Sequence, residues 1–82
     1  GEKPRPIEWI AIEELAAAAK LLLKIEFGMP REDLIRETAR IMGFERTGPY
    51  VEARIGEAVE FLLKTKRAFY SNGQIVLKTD SS

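Results

Sequence analysis

The chain has 82 residues and a mass of 9.3 kDa, which is the size of one small domain. Basic and acidic residues number 13 each, so no overall field draws the chain toward nucleic acid or an anionic membrane. Because cysteine and histidine are both absent, disulfides, thiolate or imidazole metal sites and imidazole catalysis are excluded. No apolar run reaches the roughly 18 residues that a membrane span needs, and we expect a cytoplasmic location without membrane contact.

The two ends of the chain differ in composition from the segment between them. Residues 1–6 hold two prolines and three charged residues, which predicts an extended arm or linker. Residues 7–79 then form the domain, and residues 80–82 are expected to be a tail. The first residue is Gly1 rather than methionine, as we expect of an excised fragment or of a tag remnant.

The first helical pattern runs from Ile7 to Glu26 and is rich in alanine and leucine, with no glycine or proline. Six apolar residues share one side at the helical period: Ile12, Leu15, Ala16, Ala19, Leu22 and Leu23. Trp9, Ile10, Leu21 and Ile25 lie partly off that stripe. The helix is therefore either a central core helix or one whose second side meets a partner or a second copy through Trp9, Ile10 or Leu21.

A break at Phe27-Gly28-Met29 precedes the second helix, which is expected from about Pro30 to Met42 with acidic residues in its first turn. Gly43 is expected to end it in the left-handed conformation, followed by Phe44 as a hydrophobic anchor. The inward-facing residues of this helix are expected to be Leu34, Ile35, Ala39 and either Ile41 or Met42.

The third helix is predicted over Pro49–Thr65, with Thr47 or Gly48 as its N-cap. Its buried stripe is expected to contain Val51, Ile55, Ala58, Val59 and Leu62.

Asn72-Gly73 is the strongest hairpin signal in the chain, and it separates two strand-like segments, 66–71 and 74–79. A two-residue turn pairs Ser71 with Gln74 and continues outward from that pair. The expected core face of the hairpin consists of Ala68, Tyr70, Ile75 and Leu77, with Phe69 and Val76 on the other face.

Three helices followed by a hairpin is the order of a winged helix-turn-helix domain, a mainly α fold with a small C-terminal wing. Residues 27–29 would supply the short third strand that such domains place after the first helix. Because two strands alone are marginally stable, the hairpin must pack on the helices.

The stretch from Gly28 to Gly48 also carries a family pattern, most specifically in Gly43-Phe44-Glu45-Arg46-Thr47-Gly48. The pattern resembles the C-terminal domain of unknown function of large bacterial helicase-like ATPases, which often carry a restriction-endonuclease-like domain. The match covers roughly residues 25–78, and it departs from the family at Met29, which separates the usual Gly-Pro pair, and at Arg31, which replaces a common histidine. The resemblance implies a parent protein that processes nucleic acid.

Arg46, Thr47 and Gly48 form the first candidate site, because a guanidinium, a hydroxyl and backbone N–H groups at a helix start suit a phosphate or carboxylate. The alternative is a simple helix cap with Arg46 paired to Glu45 or Glu52.

The exposed side of the third helix offers Tyr50, Arg54 and Lys64 to nucleic acid. Three carboxylates, Glu52, Glu57 and Glu60, disfavour base recognition by this helix. Lys64, Lys66 and Arg67 make the only dense basic cluster in the sequence. Such a cluster either contacts phosphates or complements the negative end of the helix.

No catalytic motif can be assembled from the scattered carboxylates, and we expect no enzyme activity, no metal and no cofactor in this segment. The sequence favours an accessory winged-helix module of a DNA-processing protein that makes weak contacts with the backbone of duplex DNA. A protein-interaction module, within a parent protein or as a homodimer, and a stand-alone transcription regulator are the alternatives.

Overall fold

The computed structural model describes residues 7–78, so the expected arm at residues 1–6 and tail at residues 80–82 lie outside the described part. A short 3-10 helix at Ile7–Trp9 is followed by α1 (Ile12–Glu26), α2 (Arg31–Ile41), α3 (Pro49–Lys64), β1 (Ala68–Ser71) and β2 (Gln74–Leu77). The predicted fold class is confirmed: the described chain is mainly helical and ends in an antiparallel hairpin, a winged-helix-like layout.

The prediction that the first helix begins at Ile7 is wrong, because Ala11 is extended (φ −65°, ψ 148°) and separates the 3-10 turn from α1. The turn is closed by a hydrogen bond from Ile10 N to Ile7 O at 3.1 Å. In 3-10 geometry residues three apart lie on the same side, and both isoleucines are buried. Ile10, with 2% of its surface exposed, is thus a core residue and not part of an outer interface.

Gly43 ends α2 as predicted, with φ 98°. The backbone N–H groups of Gly43 and Phe44 donate to the carbonyls of Arg40 and Ala39, which satisfies two carbonyls at the helix end. Leu34, Ile35 and Ala39 are buried. Of the two residues left open, Met42 packs against the core while Ile41 is exposed.

The hairpin has the predicted register, with pairs Ala68–Leu77, Phe69–Val76, Tyr70–Ile75 and Ser71–Gln74. Met29 forms a bridge with Ile75 on the other side of β2, so the expected third strand is present as a single pair. The strands are shorter than predicted at their outer ends. At β1 the reason is that Lys66 (φ 60°) still belongs to the end of α3.

The core lies between the three helices and one face of the hairpin, and its large fully buried side chains include Leu15, Leu23, Leu34, Ile55, Leu62 and Ile75. Placing Tyr70 on that core was wrong, since 54% of its surface is exposed. Tyr70 lies on the outer strand next to the turn, whereas its partner Ile75 is flanked by strands on both sides. Ala68, nearer the end of α3, is the only β1 residue that is buried.

Candidate nucleic-acid interface

The start of α3 presents Arg46, Thr47 and Gly48, as the sequence predicted. Gly48 is the N-cap, and no side chain caps the helix, so the Thr47 hydroxyl does not fill that role. Arg46 is exposed and makes no ion pair with any residue of the described segment, including Glu45 and Glu52. Of the simple-cap alternative, the N-cap is present at Gly48, while the ion pair of Arg46 with Glu45 or Glu52 is absent within residues 7–78. Tyr50, the second residue of the helix, is also exposed.

Arg54 is held within the protein rather than presented to a ligand. Its Nη1 lies 3.3 Å from Glu57 Oε1, and its Nη2 donates to the carbonyl of Ile10 at 3.3 Å. Only 24% of the side chain is exposed. Arg54 ties α3 to the turn that precedes α1, and this contact explains its position without a ligand.

Lys64 lies in an open groove of about 630 Å³ along α3. The same groove is lined by Glu52, Glu57 and Glu60. The Nε of Arg31, from α2, lies 3.8 Å from Oε2 of Glu60. Three carboxylates in one groove repel a phosphate backbone, which disfavours nucleic-acid contact by this side of α3.

Four cations gather around a separate depression of about 410 Å³, whose lining is completed by Leu77. These residues, which we call the basic patch, are Lys20, Lys66, Arg67 and Lys78. They come from α1, from the connection between α3 and β1, and from the residue that follows β2. Throughout residues 7–78, no carboxylate forms an ion pair with any of them.

Backbone contacts fix the position of the patch. The N–H groups of Lys66 and Arg67 donate to the carbonyls of Leu63 (3.1 Å) and Leu62 (2.9 Å), and Lys78 N donates to Arg67 O at 2.9 Å. The Arg67 guanidinium carbon also lies 5.7 Å from the centre of the Phe61 ring, within the range of a cation–π contact. Arg67 is thereby held at the junction of helix and hairpin.

The structure brings only part of the predicted set together. Lys66 and Arg67 belong to the patch, whereas Lys64 faces the carboxylate groove. Arg46 lies at the opposite end of α3, and a helix of 16 residues separates the two ends by roughly 24 Å.

Sequence reasoning missed Lys20 and Lys78. The hairpin register did carry a signal for Lys78. Ala68 pairs with Leu77, so the next pair outward places Lys78 beside Arg67. Lys20 carries no such signal, since only the packing of α1 against the hairpin brings it there.

Exposed apolar residues of the 3-10 turn and of α1 form a second candidate surface. Trp9 and Leu21 are exposed as predicted, and so is Ile25, one turn beyond Leu21 on the same side of the helix. Ile10 does not join them because it is buried.

The structure has no helix among its described residues that could cross a membrane, and no three Asp or Glu side chains within residues 7–78 gather as metal ligands. No protein-family model, curated protein or solved structure matches the chain. The interpretation of the surface therefore comes from its own residues.

Proposed function

We propose that the domain is a non-catalytic winged-helix module that contacts the nucleic-acid backbone through the basic patch, as an accessory part of a larger DNA-processing protein. The observation that carries the proposal is the convergence of Lys20, Lys66, Arg67 and Lys78 without an ion-paired carboxylate among residues 7–78. The resemblance of residues 28–48 to the C-terminal domain of helicase-like ATPases supports the choice of a DNA-processing parent.

Electrostatics supports an anionic ligand at this position. Like charges held near one another repel, and a polyanion that bridges them removes the repulsion while releasing its own counterions. The chain as a whole has a formal net charge of zero, so the attraction is local to the patch. If each of its four cations engages one phosphate, the log–log salt slope on duplex DNA is about −3.6.

The proposed binding is weak and independent of sequence. The outer side of α3 carries carboxylates, Arg54 is engaged internally, and the turn Asn72-Gly73 has no cation. These features leave phosphate contacts as the main source of affinity, which places the dissociation constant near 10⁻⁴–10⁻⁶ M, roughly the non-specific range.

A fluorescence-anisotropy titration with a labelled duplex at two salt concentrations tests the proposal. The double variant Lys20→Gln/Lys78→Gln removes half of the patch and should weaken binding on any duplex sequence. The variant Arg36→Gln/Arg40→Gln has the same net charge but changes α2 cations that pair with Asp33 and Glu37, and it should bind nearly as the wild type does. Equal losses in the two variants, or no binding at low salt, would contradict the proposal.

A second candidate function, a protein-interaction module, is favoured by the exposed Trp9, Leu21 and Ile25. Leu21 and Ile25 share one face of α1, and exposed apolar residues of this kind are typical of an interface, here with another domain of the parent protein or with a second copy. Sedimentation velocity distinguishes a homodimer from a monomer that contacts another domain of the parent protein. A dimer that Leu21→Lys disrupts would support this candidate, and a monomer at high concentration would remove the homodimer from it.

A further inference from the structure

An apolar depression of about 200 Å³ adjoins the basic patch, and the two share Leu77 in their linings. Its other lining residues are Leu23, Lys24, Phe27 and Val76. The basic patch and this depression therefore form one continuous surface along the seam between α1 and β2.

Phe27 is the most exposed large apolar side chain of the described segment, with 86% of its surface accessible. It occupies the position after α1 in the left-handed conformation (φ 64°), where glycine is the usual residue. An exposed aromatic residue on a strained backbone contributes nothing visible to the core. Strained conformations of this kind concentrate at functional sites.

A second aromatic ring lies on the outer face of the hairpin. Phe69 pairs with Val76 across the ladder, on the face turned away from the core, and 49% of its surface is exposed. On the other side of Val76, Gly28 has no side chain, and a Cβ built there would lie 2.9 Å from Val76 Cγ1. We call Phe27, Phe69 and Val76 the aromatic platform.

On α1 and on β2 alike, cations at the basic patch are followed by apolar residues at the aromatic platform. Along α1, Lys20 and Lys24 share one side at helical spacing, and Phe27, just after the end of the helix, lines the same depression as Lys24. Along β2 in the reverse chain direction, Lys78 at the patch is followed by Leu77 and then by Val76 at the platform. A nucleic-acid single strand whose phosphates lie on the basic patch therefore places its next bases at the aromatic platform, with Lys24 beside them.

We propose that this surface binds single-stranded nucleic acid, with phosphates on the basic patch and unpaired bases against Phe27 and Phe69. The inference rests on the proposed function and specifies its substrate. Exposed aromatic rings beside a cationic track are the combination by which proteins hold single strands, because every unpaired base offers a π-face. Base faces in a duplex are stacked internally, so a duplex has only the cations to contact.

The rings therefore favour single strands selectively. Removing one ring that stacks on a base should weaken single-strand binding roughly 5- to 140-fold. The same change should leave duplex binding within about twofold, since phosphate contacts alone carry it.

The test titrates the full chain with labelled oligo-dT, oligo-rU and a blunt duplex, each of about 15 nucleotides, a length that exceeds most single-fold site sizes. Phe27→Ala and Phe69→Ala are compared with Trp9→Ala, which removes an exposed aromatic residue elsewhere, and with Lys20→Gln/Lys78→Gln. Phe27→Trp is the rescue variant because it restores a stacking ring. Circular dichroism and a urea titration identify any variant that has lost its fold, and Phe27→Trp then supplies the comparison at that position.

The expected result is tighter binding of single strands than of duplex, a selective loss in Phe27→Ala and Phe69→Ala, near-wild-type binding by Trp9→Ala and recovery in Phe27→Trp. Oligo-dT and oligo-rU are compared directly, and stacking predicts that both bind. If Phe27→Ala and Phe69→Ala change nothing while Lys20→Gln/Lys78→Gln weakens all ligands, the platform is overturned and the proposed function stands. If wild type binds none of the three ligands at low salt, both fail.

Discussion

The backbones of Met29 and Ile75 exchange two hydrogen bonds, 3.0 Å from Met29 N to Ile75 O and 2.7 Å from Ile75 N to Met29 O. This pair joins the connection between α1 and α2 to the middle of β2. It turns a two-stranded hairpin into a sheet with a third, single-pair strand, and it brings Phe27 beside Val76. The relative positions of the basic patch and the aromatic platform depend on this contact.

Gly28→Ala should destabilise the domain by about 1–3 kcal/mol. The position has φ 138°, which side chains rarely adopt, and the added methyl would lie 2.9 Å from Val76 Cγ1 and 3.1 Å from Gln74 Oε1. Urea unfolding followed by circular dichroism measures the change. In Gly28→Ala/Val76→Ala the loss should be smaller than the sum of the single losses, because the clash is relieved while the backbone strain remains.

Gly48→Ala is the matched control for that experiment. Gly48 has φ −75°, and no heavy atom that a Cβ would meet lies within 4 Å. The free energy of unfolding should therefore change by no more than about 0.5 kcal/mol. A loss as large as that of Gly28→Ala would show that the effect at Gly28 is not specific to its conformation.

The double change Asn72→Val/Gly73→Val should lower stability by at least about 1 kcal/mol. Both positions have positive φ (52° and 78°), and β-branched residues do not tolerate that region. No atom lies within 4 Å of a Cβ added at Gly73, so the loss arises from the backbone and not from a clash. An unchanged melting temperature would contradict the hairpin turn, and Asn72→Asp, which keeps a turn-forming residue, should be close to wild type.

Lys66→Gly should stabilise the domain by up to about 1 kcal/mol while weakening nucleic-acid binding. Lys66 lies two residues after the end of α3 at φ 60°, where glycine carries no steric penalty. The same change removes one cation of the basic patch. Stability and affinity moving in opposite directions would indicate that lysine is kept here for binding. Lys64→Gly, at the last residue of α3, should instead destabilise by roughly 0.5 kcal/mol.

Thr38→Val should raise the free energy of unfolding by about 1 kcal/mol. Thr38 is fully buried, and its hydroxyl has no hydrogen-bond partner within the described segment. Replacing the hydroxyl by a methyl removes an unsatisfied polar atom at nearly constant shape. The control Thr65→Val should lower stability, since Thr65 Oγ1 donates to the Phe61 carbonyl at 2.7 Å. A loss of stability in Thr38→Val would contradict this assignment.

The elements with local signals could be predicted from the sequence, and those that depend on tertiary contacts could not. Asn72-Gly73 sets the hairpin register by itself, and Gly43 ends α2 by its own conformational freedom. The break at Ala11 has no glycine, proline or capping side chain to mark it. It follows from burying Ile7 and Ile10 together, which depends on α3 packing nearby.

The candidate site could be predicted only where its residues are neighbours in the sequence. Lys66 and Arg67 stood out as a basic run, and Lys78 was implied by the hairpin register. Lys20 and Phe27 reach the surface described here only because α1 packs along β2. Their contribution could not be read from spacing alone.

A titration of ¹⁵N-labelled protein with oligo-dT, followed amide by amide by NMR, tests most directly whether the basic patch binds nucleic acid. If it does, the largest chemical-shift changes fall on Lys20, Lys66, Arg67 and Lys78, and they fade as salt is added. Changes centred instead on Leu21 and the outer side of α1, or no changes at low salt, would contradict it.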